Sequence, residues 1–154
     1  MNAEELNRHV VESLEGVRVL EGNGDLFYVH DPAGDLPPER QLPFATIVTG
    51  NNYDHVSDLD RPGAYRVNIG LPKAGYTARF GAPPAVRDEH GVLDTGYDYA
   101  ARDTVQPHPA YASQYWVCVV DPGEATLRTV KDLLAEAHAF AARKHANRLA
   151  RRAD

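Results

Sequence analysis

The feature that most constrains this chain is a succession of short β-prone runs joined by turn-rich stretches, with no helical pattern between them. Val17-Arg18-Val19-Leu20-Glu21 and Leu26-Phe27-Tyr28-Val29-His30 flank Gly22-Asn23-Gly24-Asp25, which supplies the positive-φ residues that a tight hairpin demands. A third run follows at Phe44 to Thr49 and a fourth at Ala64 to Leu71. The fourth alternates: Tyr65, Val67, Ile69 and Leu71 fall on one face, and Arg66, Asn68 and Gly70 on the other. Parallel neighbours need long crossovers, so consecutive short strands linked by turns predict an antiparallel sheet.

Helical patterns bracket these strands. Asn2 reads as an N-cap with Glu5 in the reciprocal capping position, and Leu6, Val10, Val11 and Leu14 form one apolar face ending at Gly16. Lys73 to Phe80 reads as a short helix closed by Gly81, and residues 82–111 as a long irregular segment where only Val92-Leu93 or Tyr97-Asp98-Tyr99 could pair briefly. Tyr115 to Val120 is a buried strand, after which Asp121-Pro122-Gly123-Glu124 predicts a helix start. The apolar spacing of Leu127, Val130, Leu133, Leu134, Ala137 and Ala141 carries that helix onward. The expected fold is α+β: an antiparallel sheet of about five strands with the N-terminal and long C-terminal helices packed on one face.

At 154 residues the chain suits a single domain, 1–154, with 142–154 forming the basic end of the last helix and its tail. No run approaches the roughly 18 apolar residues of a membrane span, and the first residues show neither a basic nor an apolar leader, so a cytoplasmic protein is expected. The single cysteine, Cys118, lies among Trp116, Val117, Val119 and Val120 and reads as a buried, inert thiol. Net charge is −6, yet Arg143, Lys144, Arg148, Arg151 and Arg152 crowd the C-terminus, opposed there only by Asp154. An acidic body repels phosphate backbones while a basic tail attracts them.

Residues able to carry chemistry fall in three places. Asp54, His55, Asp58 and Asp60 could ligate a divalent cation or move protons, but their spacing matches no EF-hand or zinc motif, and aspartates equally cap and bend a solvated loop. No metal is assigned. Arg61 and Arg66 flank the turn at Pro62-Gly63, where a guanidinium could grip a carboxylate or phosphate or brace the loop by pairing with Asp58 or Asp60. Asn68 shares a strand face with Arg66, facing either a pocket or solvent.

His108, stiffened between Pro107 and Pro109, could aim its ring at a ligand and, with a near-neutral pKa, transfer protons. Tyr97, Tyr99, Tyr111, Tyr115 and Trp116 surround it in sequence, as walls of a pocket or as the edge of the core. Nucleophile-elbow, P-loop, dinucleotide, H-E-x-x-H and C-x-x-C signatures are absent from the sequence, and no cofactor is named by any residue pattern.

Leu42-Pro43-Phe44-Ala45-Thr46, Leu59-Asp60-Arg61-Pro62-Gly63, Tyr65-Arg66-Val67-Asn68-Ile69-Gly70 and Pro107-His108-Pro109-Ala110-Tyr111 with Tyr115-Trp116-Val117 resemble a bacterial family of unknown function, the one numbered 6194, over nearly the whole chain. More distantly, the order of elements and the placing of His108, Trp116 and the terminal helix are similar to MmcQ/YjbR-like proteins. That likeness implies an α+β fold and a predicted DNA-binding role.

Three readings follow. In the first, Asp58, Asp60, Arg61, Arg66, Asn68, His108, Tyr111 and Trp116 build a small-molecule pocket from the sheet and the long loop before the last strand, in a binding protein or an enzyme alike. In the second, Arg143, Lys144, Arg148, Arg151 and Arg152 bind nucleic acid. In the third, an apolar patch serves a protein partner or a homodimer.

Overall fold

The computed structural model describes residues 1–153; Asp154, the carboxylate opposing the basic tail, lies outside them. Helix α1 spans Ala3–Ser13, capped by Asn2 with the reciprocal Glu5 contact in place. Strands β1 (Val17–Gly22) and β2 (Asp25–His30) form the hairpin, with Asn23 and Gly24 at φ 56° and 81° in its turn. Next come β3 (Ala45–Val48), β4 (Arg66–Gly70), α2 (Lys73–Phe80), β5 (Gln106–Pro107), β6 (Trp116–Val120) and α3 (Leu127–Ala153). The sheet is antiparallel, open and six-stranded, in the order β1-β2-β3-β4-β6-β5.

Period-two alternation divides the sheet into two faces. On the first, Tyr28, Ala45, Ile47, Val67, Ile69, Val117 and Val119 pack against Leu6 and Val10 of α1 and Val130, Leu133, Leu134 and Ala137 of α3. Tyr65, Val67, Ile69 and Leu71 all join this core, as their spacing predicted. The second face carries a row of buried polar groups across four strands: Thr46 pairs in register with Asn68, Asn68 with Cys118, and Cys118 with Gln106. It is covered at one end by the loop 51–64, whose Leu59 and Ala64 pack on Val48 and Val120.

Several expectations need correcting. Helix α1 closes at Leu14, whose N–H reaches the Val10 carbonyl, so Gly16 serves the following turn, and Val11 faces solvent. The sheet gains a sixth strand, β5, which Pro107 disguises because proline cannot donate to a ladder; it sits on the edge, where that costs least. Leu93 forms an isolated bridge with Arg87, whereas Tyr97-Asp98-Tyr99 pairs with no strand.

The terminal helix does not begin at Pro122. Asp121 adopts φ 45° and turns its carboxylate to the Tyr65 N–H and to Arg61, and α3 starts only at Leu127. Its N-terminus is capped from outside by Asp103, which accepts from the N–H groups of Gly123, Ala125 and Thr126. Burial pushes the Asp103 carboxyl upward, but the Thr126 hydroxyl and those three N–H groups outweigh it and hold the pKa below the ordinary value. Among the described residues no helix is long and apolar enough to cross a membrane.

Candidate functional site

A cavity of about 800 Å³ opens on the second face of the sheet and continues to the far end of α3. Its floor is the part of the polar row made by Thr46 and Asn68, with Arg66 beside them. Arg66, 2% exposed, is held by four hydrogen bonds: Nη1 and Nη2 grip the two oxygens of Asp54 at 3.2 and 2.9 Å, Nη1 reaches Ser57 Oγ at 2.9 Å, and Nε reaches Asn68 Oδ1 at 2.9 Å. Asn68 Nδ2 donates in turn to Thr46 Oγ1 at 2.9 Å. A buried guanidinium is tolerable only because a carboxylate faces it and its N–H groups are engaged.

His108 stands beside this floor, 3% exposed. Its Nδ1 accepts the backbone N–H groups of Ala110 and Tyr111, both at 3.0 Å, so the proton of the neutral ring resides on Nε2. That Nε2–H has no hydrogen-bond partner among the described residues, and His108 lines the cavity. Burial, and secondarily the Arg66 charge, keep the imidazole neutral well below the ordinary histidine range. The near-neutral proton shuttle foreseen from the sequence is thereby corrected: this ring is a fixed donor, because a prolyl-flanked turn wraps its other nitrogen in backbone N–H groups.

The walls are aromatic. His108 lies 5.0 Å from the Tyr111 ring and 6.4 Å from Trp116, and Tyr111 lies 6.4 Å from Trp116. Trp116 leans over Gly70 on the neighbouring strand. On the side of β2, Phe27 meets Tyr53 edge-on at 6.5 Å. Tyr53 and Tyr111, though both line the cavity, are more than half exposed.

Toward α3 the lining changes character. Lys144, His145 and Arg148 join Phe140 and Ala141 from the helix, with Arg40 from the loop before β3. Lys144 Nζ sits 4.2 Å above the Phe140 ring, and partial burial lowers its pKa. Arg148 Nη2 donates to His145 Nδ1 at 3.1 Å. His30 meets the rings of His138 and His145, each at 5.3 Å, and its Nδ1 is buried without a partner.

Of the residues singled out in the sequence, Arg66, Asn68, His108, Tyr111 and Trp116 line this one cavity. Arg66 and Asn68 face inward under cover and not solvent. Asp58, Asp60 and Arg61 lie elsewhere. Arg61 Nε donates to the Asp58 carbonyl at 2.9 Å and Nη1 reaches Asp121 at 3.1 Å, so it braces the loop against the end of β6. Asp58 and Asp60 point outward from an exposed turn. Their separation from the cavity follows from the alternation itself, since the loop must turn over before β4 can present Arg66. Asp54, grouped earlier with them, is instead the partner of Arg66, and no cluster of metal-ligating side chains exists among the described residues. Cys118 is fully buried, and desolvation pushes its thiol up to about 12.

Thr46, Phe27, Tyr53 and Arg40 also line the cavity. Thr46 and Phe27 were within reach of the alternation applied to β4, because they lie across from Asn68 and Thr46 in register. Tyr53 and Arg40 come from loops, where no period operates. The basic end of α3 divides: Lys144 and Arg148 line the cavity, while Arg143, Arg151 and Arg152 are exposed outside it.

Neither the curated proteins nor the solved structures contain a match to this chain. One family model does match, over residues 1–150, and its description is a family of unknown function, DUF6194. With the match extending from α1 to the closing turns of α3, the chain belongs to the DUF6194 family.

Proposed function

We propose that this protein binds a small molecule in the cavity between the second face of the sheet and the end of α3. The observation that carries the reading is His108: a buried ring, fixed in one tautomer by two backbone N–H groups, with a hydrogen-bond donor left over at the cavity wall. The Nε2–H is accessible from the cavity, where a ligand acceptor would gain roughly 0.5–1.5 kcal/mol, the net worth of an ordinary hydrogen bond. The cavity's volume of about 800 Å³ suits such a ligand, and its polar floor beneath aromatic walls is the usual composition of small-molecule sites.

The floor is preorganised, since Arg66, Asp54, Ser57, Asn68 and Thr46 hold one another in place before any ligand arrives. Binding therefore spends little on ordering side chains there. The same geometry serves a binding protein or an enzyme, with His108 as an orienting donor in either. The competing nucleic-acid role would draw on Arg143, Arg151 and Arg152 on the exposed end of α3.

A thermal-shift screen against metabolites, nucleotides, divalent cations and short DNA tests both, with Tyr111→Ala and His108→Gln alongside. The expected result is a small molecule that raises the Tm of the wild type and fails to do so in both variants. Stabilisation by DNA alone, lost with salt and indifferent to both variants, would overturn the reading.

A further inference from the structure

We infer that the ligand of this cavity is an aromatic anion: a planar ring bearing a carboxylate, sulfonate or phosphate. The inference rests on the small-molecule reading above and names the ligand's chemical class.

Charge is the first argument. The charged side chains lining the cavity are Arg40, Arg66, Lys144 and Arg148 against the single carboxylate of Asp54. Asp54 is already committed to Arg66 through both oxygens. Arg40, Lys144 and Arg148 therefore face the cavity with no carboxylate partner among the described residues. The chain as a whole is acidic, at −6, so a cationic cavity is set against the prevailing field and focuses anions into it.

Hydrogen-bonding capacity is the second. Asn68 Oδ1 is occupied by Arg66 and its Nδ2 by Thr46, and the Asp54 oxygens by the guanidinium. Donors stay without a protein partner at the wall, namely His108 Nε2–H, the indole N–H of Trp116, the remaining N–H of Arg66 and the Lys144 ammonium, beside His30 Nδ1, which can take either role. Ammonium and guanidinium groups can only donate, so these positions ask the ligand for acceptors, and an anion supplies them most strongly. The walls ask for a ring: Phe27, Tyr53, Tyr111, Trp116 and the His108 imidazole surround the floor, and aromatic faces stack on planar groups.

The test uses Trp116, the chain's single tryptophan, as an energy-transfer donor in the wall. The probes are 8-anilinonaphthalene-1-sulfonate and its uncharged counterpart N-phenyl-1-naphthylamine, titrated into the wild type, Tyr111→Ala and the double variant Lys144→Gln/Arg148→Gln. The sulfonate is expected to bind about tenfold or more tightly than the neutral probe, the size of a charge-assisted hydrogen bond. The double variant should remove that preference by lowering the sulfonate's affinity about tenfold more than the neutral probe's, and salt should weaken the sulfonate alone. Equal affinities for the two probes, each lowered by Tyr111→Ala, would overturn the anionic class and leave the small-molecule site standing. Failure of both probes to accept energy from Trp116, together with indifference to Tyr111→Ala, would overturn both.

Discussion

The indole of Trp116 occupies the space that a β-carbon on Gly70 would need: such an atom would lie 2.7 Å from Cε2 and 2.8 Å from Cζ2 of the ring. The two residues are register partners on β4 and β6, so the close approach is built into the sheet and places the indole over the strand that also carries Arg66 and Asn68. Gly70→Ala should therefore push the ring into the cavity, at a cost of about 1–3 kcal/mol from overpacking. A shifted Trp116 emission maximum with a lowered Tm checks this; an unchanged spectrum would show that the ring does not rest there.

The Arg66–Asp54 pair should be among the costliest contacts to break. Arg66 is nearly inaccessible, so Asp54→Asn leaves a buried cation uncompensated, and a loss of about 3 kcal/mol in urea unfolding is expected. Arg61→Ala offers the contrast. Its ion pairs with Asp58 and Asp121 are partly exposed, and about 1 kcal/mol or less should be lost.

Acid should destabilise the start of α3 through Asp103. Its folded-state pKa lies below the ordinary value, so its contribution is complete above the unfolded-state pKa and disappears as pH falls through the folded one. Asp103→Ala should cost about 1 kcal/mol at neutral pH, the size of an N-cap. The variant and wild type should converge in stability as the pH is lowered below about 4, which chemical denaturation across pH would measure.

His108 has its own signature. Its folded-state pKa lies well below 6.5, so on acidification the unfolded chain takes up a proton that the folded chain refuses. Stability should fall as pH drops below about 6.5. His108→Gln removes this titration and should flatten the Tm profile between about pH 6.5 and 5; an equal slope in the variant would mean that other groups carry it.

Much of the architecture was legible because local rules coincide with tertiary ones. Asn2 and Glu5 cap α1 through contacts three residues apart, Asn23-Gly24 satisfies a hairpin that only positive φ allows, and the alternation in β4 separates Val67 and Ile69 from Arg66 and Asn68. Where a residue had a local use and a distant one, the sequence misled. Asp121 has the form of an N-cap, yet Arg61 and the Tyr65 N–H draw its carboxylate across to β4, and Asp103 caps the helix instead.

By itself the amino-acid sequence determined the elements whose hydrogen bonds and apolar periods close within a few residues: the antiparallel strands, the bracketing helices and the burial of Cys118. Only the tertiary structure decided the site. It placed Asp54 against Arg66, set Tyr53 and Tyr111 at the cavity wall, and brought Lys144 and Arg148 of α3 round to the same cavity as His108. These groups are far apart in the chain and obey no common period, so what joins them is the register of the sheet and the length of α3 beyond it, which arise only when the whole core packs.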